Sequence, residues 1–307
     1  MQDLNQLSLP DLFSHLCESG LVRRLLEVAR EEDVGSGDVT SAASFTKGGE
    51  SGIASITARE PGILCGIALL PLLIDVFEVD ATSTARLRDG ERFESGETIA
   101  TLEGRLDHIL TLERTLLNLF ARLSGVATLT RRYVAAAAGA PGSRAGVYDT
   151  RKTTPGLRML EKYAVRCGGG RNHRIGLSDA LLIKDNHIAS IPEDRLADRL
   201  REIIREARAD RDLRFVEVEV DRLSQFERIL GLEPGEVDIV LLDNMKPDQL
   251  REAVQLRDDA KSRIELEASG GVTLETIGGI AATGIERISV GRITQSAPPL
   301  DIGLDLP

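Results

Sequence analysis

The sequence predicts an α/β fold in which a parallel (β/α) barrel follows a smaller mixed α/β region. From about residue 145 onward, short apolar strands alternate with amphipathic helices, which is typical of a parallel sheet. Polar residues follow successive strands, at the edge where a barrel builds its active site. The alternative, an open doubly wound sheet, more often has a glycine-rich loop after its first strand, and no GxGxxG motif occurs there.

The region before the barrel is predicted to combine helices with β-strands. Residues 10–32 carry apolar side chains at helical spacing, so we expect an opening helical segment. Residues 52–104 show strand patterns at 53–58 and 99–102, separated by glycine and Asp-Gly turns. Residues 106–138 return to helical spacing, with a stripe of leucines on one face.

The barrel is predicted from strands that end in polar residues and from the helices between them. The strands are expected at 146–149, 180–184, 215–219, 238–243, 264–269 and 287–290. The helices are expected at 192–209, 222–231, 247–258 and 273–282. Because the carboxyl ends of parallel strands meet at one edge, polar residues there are expected to share a cavity. They are Asp149, Lys184, Glu219, Asp243 and Ser269.

Composition limits the classes of function. The chain has 307 residues, of which 42% are hydrophobic, and is long enough to bury a full core. Its apolar runs are far shorter than the roughly 18 residues that span a bilayer, and its first residues do not resemble a secretory signal. The three cysteines show no CxxC spacing, which argues against a disulfide framework or a structural zinc site. A formal net charge of −11 and 3% aromatic residues disfavour nucleic acid. We therefore expect a cytoplasmic protein that binds neither nucleic acid nor a membrane.

One stretch, residues 149–187, is basic within this acidic chain. It holds eight lysines and arginines against four acidic residues, and the cations are interleaved with Gly168–Gly170 and with apolar residues. Cations among glycines suit a small anion that carries carboxylates or phosphates. A solvated charged face is the alternative.

Two glycine-containing loops follow the last two predicted strands. Residues 268–273 read Ala-Ser-Gly-Gly-Val-Thr and residues 289–292 read Ser-Val-Gly-Arg. Such a pair after the last strands of a barrel is the usual phosphate site, because backbone N–H groups hold the anion and glycine allows close approach. A pair of ordinary tight turns is the alternative.

Glu219 and Asp243 end neighbouring predicted strands and are the candidate catalytic acids. Carboxylates there can hold Mg²⁺ through water, accept ribose hydroxyls or stabilise an oxocarbenium cation. Salt bridges to Lys152 and Lys184 are the alternative, and both readings are compatible. Glu217 shares the face of Glu219 by the period of a strand and is a weaker candidate.

The histidines differ in context. His173 lies between Arg171 and Arg174 beside the glycines, which favours an acid, a base or a donor to a carboxylate. His187 stays open between a functional and a structural role. His15 and His108 lie on predicted helix faces and are interpreted as structural.

Several long motifs resemble those of the quinolinate phosphoribosyltransferase family. They are Asp-Thr-Arg-Lys-Thr-Thr-Pro-Gly (149–156), Glu-Lys-Tyr-Ala-Val-Arg-Cys-Gly-Gly-Gly-Arg-Asn-His-Arg (161–174), Leu-Ile-Lys-Asp-Asn-His-Ile (182–188), Val-Glu-Val-Glu-Val (216–220), Leu-Leu-Asp-Asn-Met (241–245) and Ala-Ser-Gly-Gly-Val (268–272). Upstream, residues 31–41 and 112–118 also resemble the family, as does the ending from residue 296. The resemblance covers roughly residues 22–306, and its motifs are long and ordered.

The resemblance implies a reaction and an architecture. The reaction converts quinolinate and phosphoribosyl pyrophosphate, with Mg²⁺, into nicotinate mononucleotide, pyrophosphate and CO₂, a step of NAD biosynthesis. The fold would be an N-terminal α/β sandwich domain, residues 1–123 completed by 297–307, and an incomplete α/β barrel, residues 124–296. The protein would be a homodimer with shared active sites, or a hexamer.

The resemblance also implies roles for individual residues. Arg114 would reach the neighbouring subunit's quinolinate, whose carboxylates Arg151, His173 and Arg174 would hold. Lys152, Lys184, Glu219 and Asp243 would be catalytic: the lysines lie near pyrophosphate and substrate, and the acids meet ribose and Mg²⁺. The remaining residues of the substrate and phosphate site are Thr150, Ser269, Gly270, Gly271, Ser289 and Gly291.

Two departures from the family pattern stand out. Residues 231–236 make the segment before Asp243 longer than usual, and we expect a surface loop there. Gln295 stands where the family usually has histidine, so no catalytic role is transferred to it.

Two rival functions remain: a ModD-type relative with another substrate, and a catalytically silent barrel that binds a phosphorylated metabolite as a regulator. The complete set of Arg114, Arg151, His173 and Arg174 favours a dicarboxylate substrate.

Overall fold

The computed structural model describes residues 3–45 and 49–306, so the predicted domain limits at residues 1 and 307 lie outside the described residues. The chain forms two compact units, which we name the barrel unit and the antiparallel unit. The barrel unit comprises residues 1–6, 132–152 and 170–292. The antiparallel unit comprises residues 7–131, 153–169 and 293–307.

The helices and strands follow one another along the described chain. The α-helices are α1 (Leu9–Cys17), α2 (Leu21–Val34), α3 (Val39–Ser44), α4 (Leu70–Val76), α5 (Leu106–Ala138), α6 (Arg158–Cys167), α7 (Asp185–Ile188), α8 (Leu196–Asp210), α9 (Leu223–Leu230), α10 (Pro247–Asp259), α11 (Ile277–Ala281) and α12 (Arg292–Gln295). The strands are β1 (Ser51–Ala58), β2 (Gly62–Ile63), β3 (Ala81–Ala85), β4 (Arg92–Phe93), β5 (Thr98–Arg105), β6 (Gly146–Tyr148), β7 (Leu181–Ile183), β8 (Val216–Val220), β9 (Ile239–Asp243), β10 (Glu265–Ser269), β11 (Arg287–Ser289) and β12 (Ile302–Asp305). Short 3₁₀ helices occur at Leu4–Gln6, Ile67–Leu69 and Glu193–Arg195.

The antiparallel unit contains a sheet with the strand order β12-β1-β5-β3. Strand β12 runs antiparallel to β1, with Asp305 opposite Ser55, so the end of the chain returns to the first domain as the resemblance implied. The strand patterns at 53–58 and 99–102 lie within β1 and β5, and α5 has the predicted limits.

The opening helical segment predicted over residues 10–32 consists of two helices, α1 and α2. Helix α1 begins after Ser8, whose hydroxyl accepts the N–H of Asp11 and caps the helix. A second helix starts after Gly20, so the helical face predicted for 10–32 is shared by α1 and α2. Leu12 of α1 and Leu26 of α2 are fully buried, so both helices keep their apolar face in the core.

The barrel unit is built on a parallel sheet with the strand order β6-β11-β10-β9-β8-β7. Every strand predicted for the barrel is present, with limits that differ by no more than one residue at either end. Strands β6 and β7 follow each other in the chain but lie at opposite edges of the sheet, as expected for an incomplete barrel. Beside β6, Arg171 donates its N–H to Val147 and accepts the N–H of Asp149, so the loop after the glycines continues that edge.

The basic stretch 149–187 is not a continuous loop. Residues 158–167 form α6, in which Lys162 is fully buried, and this helix belongs to the antiparallel unit. Arg158, Lys162 and Arg166 therefore do not belong to the same compact unit as Arg174 and Lys184. No helix was predicted within residues 149–187, because the cations of this stretch were interpreted as one group.

The predicted domain limits stay a prediction, and the compact units differ from them in grouping residues 153–169 with the antiparallel unit. Residues 231–236 form a turn that is largely exposed, as expected for a surface loop. Within the described ranges, no helix has both the length and the apolar character needed to cross a membrane.

Candidate active site

Polar residues from neighbouring strands lie together at the carboxyl edge of the parallel sheet. Asp243 at the end of β9 is opposite Ser269 at the end of β10. Glu219, near the end of β8, is opposite Leu241 of β9, and Lys184 directly follows β7. The apolar residues of each strand are buried in the core. The polar side chains lie at the carboxyl ends of the strands, the edge at which a barrel builds its active site, and we name it the functional edge.

Lys184 and Glu219 form an ion pair across β7 and β8. The Nζ atom of Lys184 lies 2.6 Å from Oε2 of Glu219. The lysine side chain is 47% exposed whereas that of Glu219 is 8% exposed, so the ammonium group is on the open side of the pair. The salt bridge considered from the sequence is therefore present, and it leaves the lysine accessible to an anion.

The loops after β9 and β10 are in close contact. Asn244 donates through Nδ2 to Oδ2 of Asp243 at 2.7 Å, and its backbone N–H donates to the carbonyl of Ser269. Gly270 has a φ of 94°, and a Cβ there would lie 2.1 Å from Oδ1 of Asn244. Glycine is therefore required at position 270, because any side chain would push the two loops apart.

The loops after β6 and β11 also meet at this edge. Ser289 is opposite Tyr148 in the parallel register, and the N–H of Val290 donates to the carbonyl of Tyr148. A Cβ at Gly291 would lie 3.0 Å from Cδ of Lys152 and 3.7 Å from Oγ1 of Thr150. The predicted phosphate loop at 289–292 is thus next to the loop that carries Thr150 and Lys152.

Arg151 and Arg174 bring two guanidinium groups near each other. Arg174 is buried, with 7% of its surface exposed. Burial lowers the pKa of the Arg174 guanidinium, and the positive charge of Arg151 lowers it further. Like charges held together at the edge of a barrel favour the binding of an anion, because an anion would relieve their repulsion.

His173 is held by protein groups at both ring nitrogens. Its Nε2 atom lies 2.9 Å from Oε2 of Glu217 and 3.4 Å from Oε1 of Glu267. Its Nδ1 atom accepts the backbone N–H of Arg174 at 2.8 Å. The imidazole therefore points into the protein, and its link to the site passes through Arg174.

The charges of this cluster influence one another. Burial lowers the pKa of His173, but Glu267 and Glu217 outweigh burial and raise it to about 10. Burial raises the pKa of Glu217, and the neighbouring Glu267 adds to the rise. The N–H of Arg174 opposes a proton on Nδ1, whereas the acids favour a second ring proton. A proton on Nδ1 would exclude the 2.8 Å hydrogen bond from the N–H of Arg174, so we assign the neutral ring with its proton on Nε2, facing the acids.

The other histidines have structural contacts. His187 accepts the N–H of Lys184 at 2.8 Å and so caps the start of α7, a contact that favours a structural role. His15 lies 3.3 Å from Glu18, and His108 accepts the N–H of Asp80. These contacts agree with the structural interpretation of both residues.

Arg114 lies on α5 in the antiparallel unit. Its side chain is 66% exposed, and a carboxylate oxygen of Glu113 is 3.7 Å away. Arg114 lines a cleft of about 280 Å³ whose wall includes Leu25, Ala29 and Pro155. The structure thus presents this arginine at an open surface of its own unit.

Two buried charged residues were not singled out from the sequence. Glu267 of β10 is fully buried, and its Oε2 lies 2.7 Å from Nε of Arg287 on β11. Glu267 precedes Ser269 by two residues, as Glu217 precedes Glu219. The same strand period that pointed to Glu217 could therefore have pointed to Glu267.

The donor sets for a metal ion differ between two places. Within residues 3–45 and 49–306, the group of three metal-ligating side chains that lie close together is His173, Glu217 and Glu267. Arg287 pairs with Glu267 and Nε2 of His173 lies 2.9 Å from Glu217, so protein groups already face both carboxylates. Glu219 and Asp243 offer two carboxylates at the functional edge, which fits Mg²⁺ because this ion usually takes one or two protein carboxylates plus water and phosphate oxygens.

An incomplete barrel with paired guanidiniums and glycine-containing loops at one edge is typical of an enzyme that acts on small phosphorylated anions. Two family descriptions match the chain. The Quinolinate phosphoribosyl transferase, N-terminal domain, matches residues 38–124. The Quinolinate phosphoribosyl transferase, C-terminal domain, matches residues 126–305.

Individual relatives agree with that match. The nicotinate-nucleotide pyrophosphorylase [carboxylating] of Mycobacterium leprae is 42% identical over 94% of this chain and 99% of its own. A probable enzyme of the same name from Bacillus subtilis is 39% identical over 93% of each chain. The solved structure of the nicotinate-nucleotide pyrophosphorylase from Francisella tularensis is 32% identical, covers 100% of both chains and has a TM-score of 0.83. The chain belongs to the quinolinate phosphoribosyl transferase family.

Proposed function

We propose that the protein transfers the phosphoribosyl group of phosphoribosyl pyrophosphate to quinolinate with loss of one carboxylate. The products are nicotinate mononucleotide, pyrophosphate and CO₂, and the reaction belongs to de novo NAD biosynthesis. The enzyme is a pentosyltransferase, a carboxylating nicotinate-nucleotide diphosphorylase. The observation that carries the proposal is that two cations, Arg151 and the buried Arg174, lie near each other. They belong to the unit that also holds the predicted phosphate loops.

The guanidinium pair suits a planar dicarboxylate. Quinolinate carries two carboxylates on adjacent ring carbons, and the fork of a guanidinium binds a carboxylate through two parallel hydrogen bonds. Arg151 and Arg174 hold these groups, with His173 beside them. Binding of an anion reduces the repulsion between Arg151 and Arg174, a repulsion that adds to burial in lowering the pKa of the Arg174 guanidinium.

The acids at the strand ends suit the transfer step. Departure of pyrophosphate leaves positive charge on the ribose carbon, and the carboxylates of Glu219 and Asp243 stabilise that charge electrostatically. Lys184, paired with Glu219 on the open side, and Lys152 bind pyrophosphate and the substrate anion. After transfer, the cationic ring nitrogen accepts the electrons of the leaving CO₂, so no covalent cofactor is needed.

The glycine-containing loops suit the 5′-phosphate of the ribose. Ser269, Gly270 and Gly271 provide backbone N–H groups after β10, and Ser289 and Gly291 provide them after β11. Thr150 stands next to Gly291 and completes this part of the substrate site.

Magnesium is proposed as the cofactor. Glu219 and Asp243 would hold it, directly or through water or pyrophosphate, since hard oxygen ligands suit the ion. When bound, Mg²⁺ would neutralise part of the negative charge of pyrophosphate.

A homodimer with shared active sites is proposed as the working assembly, with a hexamer of such dimers as the larger alternative. Arg114 is exposed beside an apolar cleft, and Leu21 and Val28 of α2 are 45% and 60% exposed. Leu21 and Val28 do not line the cleft, but they lie on the same helix as Leu25 and Ala29, which do, and exposed apolar side chains are a feature of protein interfaces. A second copy would bury them and receive Arg114 in its quinolinate site. The cytoplasmic location stays a prediction.

The test is a direct assay of the complete reaction. Purified protein is incubated with Mg²⁺, phosphoribosyl pyrophosphate and quinolinate labelled in the carboxylate beside the ring nitrogen. We expect nicotinate mononucleotide and labelled CO₂ in equal amounts, and no product when phosphoribosyl pyrophosphate is omitted. Product from nicotinate but not from quinolinate would overturn the assignment, and binding of both substrates without turnover would favour the silent regulator.

A further inference from the structure

A group of charged side chains is buried one layer below the functional edge. Glu217 and Glu267 are fully buried, and His173 and Arg287 are 6% and 7% exposed. We name these four residues the buried quartet. They lie in the barrel unit, on β8, β10, β11 and the loop that precedes Arg174.

Contacts link the members of the buried quartet in a chain. Nε2 of His173 lies between the carboxylates, 2.9 Å from Glu217 and 3.4 Å from Glu267. Nε of Arg287 lies 2.7 Å from the other oxygen of Glu267. The guanidinium carbon of Arg287 is 3.7 Å from the centroid of the Tyr148 ring, which adds a cation–π contact.

The main chain that leads to the guanidinium site is held by Asp149 and by the ring of His173, a member of the quartet. Asp149 accepts the backbone N–H of His173 and the side chain of Asn172, each at 2.8 Å. The ring of His173 then accepts the N–H of Arg174. The main chain before Arg174 is therefore held by one carboxylate, and the imidazole that meets Arg174 is held by two others.

Stability alone does not account for such a group. Removing charges from water costs several kcal/mol for each ion, and a buried ion pair can often be replaced by apolar residues without loss of stability. Glu217 lies on the face of β8 opposite to the valines at positions 216, 218 and 220, so its carboxylate has no part in their apolar packing. A fixed direction for the imidazole is what the carboxylates supply and apolar residues would not.

We propose that Glu217 and Glu267 are positioning residues for quinolinate binding, which orient His173 so that it holds Arg174 against a substrate carboxylate. The inference rests on the proposed function, and it gives His173 a role that acts through Arg174. Glu217 and Glu267 do not touch the substrate. Their effect is on the geometry of the guanidinium site, which must be correct within a fraction of an ångström for tight bidentate contact.

The test compares Glu217→Gln and Glu267→Gln with a matched control, Glu265→Gln. Glu265 lies on β10 two residues before Glu267, and its carboxylate is 3.3 Å from the same Arg287, but its side chain is 50% exposed. Each substitution keeps the size and removes the charge. Calorimetry measures the Kd of quinolinate and of phosphoribosyl pyrophosphate separately, steady-state assays give KM and kcat, and thermal unfolding gives Tm.

We expect Glu217→Gln and Glu267→Gln to raise the Kd and KM of quinolinate roughly 10- to 100-fold, because small misplacements of a binding group have effects of this size. The Kd of phosphoribosyl pyrophosphate and kcat at saturating quinolinate should stay within about twofold of wild type. Glu265→Gln should leave all of these constants unchanged. If Glu217→Gln does not fold, Glu267→Gln keeps the test available, since it leaves the contact between His173 and Glu217.

Other outcomes count against the inference. Unchanged quinolinate binding in both variants, or equal weakening of both substrates together with a large fall in Tm, would reduce the quartet to a structural element. A loss of kcat with unchanged KM would assign the acids to the chemical step. One metal ion per chain, removed by Glu217→Gln in elemental analysis, would make the quartet a metal site. Wild-type protein that does not bind quinolinate would end the proposed function and the inference together, whereas an active wild type with unaltered variants ends the inference alone.

Discussion

Glu217 and Glu219 are two residues apart on the same strand, and the structure gives them different surroundings. Both side chains leave the same face of β8, because alternate residues of a strand share a face. Glu219 pairs with the half-exposed Lys184, whereas Glu217 is fully buried against His173. One step along a barrel strand therefore separates an upper layer at the functional edge, which includes Lys184, Glu219, Asp243 and Ser269, from a lower layer formed by the buried quartet.

The neighbouring strand β10 repeats this difference. Ser269 stands at the functional edge, opposite Asp243, and Glu267 lies one step below, paired with Arg287. In both strands the residue nearer the carboxyl end reaches the edge at which a barrel holds its ligand. The experiments below compare the two layers, starting from the largest expected effect.

The lower layer should dominate folding stability. Arg287→Leu leaves Glu267 buried without its partner, and loss of one member of a buried pair typically costs about 3–5 kcal/mol of unfolding free energy. Lys184→Met breaks an ion pair in the upper layer whose lysine is 47% exposed and whose glutamate is 8% exposed, and should cost less, about 1–2 kcal/mol. Denaturant unfolding of both variants measures the difference. Similar values for the two would contradict the separation of the layers.

The upper layer should dominate the chemical step. Asp243→Asn keeps the size of the side chain and removes the charge that stabilises the cationic ribose, so we expect kcat to fall roughly 100- to 1000-fold. The Kd of quinolinate should stay close to that of wild type, because the arginines that bind it are unchanged. Rate assays and calorimetry on the same sample measure both quantities. A variant with wild-type turnover would leave Asp243 a structural residue.

Arg174 belongs to the upper layer but depends on the lower one. Arg174→Lys keeps the charge and loses the fork, which should weaken quinolinate binding about 10- to 150-fold, or roughly 1.5–3 kcal/mol. Binding of phosphoribosyl pyrophosphate should change far less. Equal weakening of the two substrates in calorimetry would show that Arg174 lies elsewhere.

The smallest expected signal tests whether the upper layer is completed by a second subunit. Arg114→Ala and Lys152→Ala should each be inactive, but a mixed dimer would contain one site with neither substitution. Random mixing makes about half of the dimers mixed, so about a quarter of wild-type activity should return. If subunit exchange is verified and the mixture stays inactive, Arg114 acts within its own subunit.

The sequence predicted the upper layer well because one rule applies to it. Polar residues that follow short apolar runs mark the carboxyl ends of parallel strands, and Lys184, Asp243 and Ser269 lie at such ends. The strand rhythm after residue 145 likewise predicted the parallel sheet, whereas its incomplete closure was implied by the family resemblance. Helix α6 was missed because its cations were grouped with those of the loops on either side.

The lower layer could not be predicted in full for a physical reason. Strand period alone points to Glu217. Its contact with His173 depends on the position of the loop that carries Arg171 and His173, which lies beside β6. The pairing of Glu267 with Arg287 depends on β11 lying next to β10, a register that no local pattern encodes. The orientation of the imidazole also could not be read from the sequence, because it results from all of these contacts together.

The most direct test of the relation between the layers is a double-mutant cycle on quinolinate binding with Glu217→Gln and Arg174→Lys. If Glu217 acts only by positioning Arg174, the double variant should bind quinolinate about as weakly as Arg174→Lys alone, because the second change removes nothing further. The pair of Glu265→Gln with Arg174→Lys serves as the reference, in which the two effects should simply combine. If the fold-changes of Glu217→Gln and Arg174→Lys multiply in full, the two layers act independently and the account is contradicted.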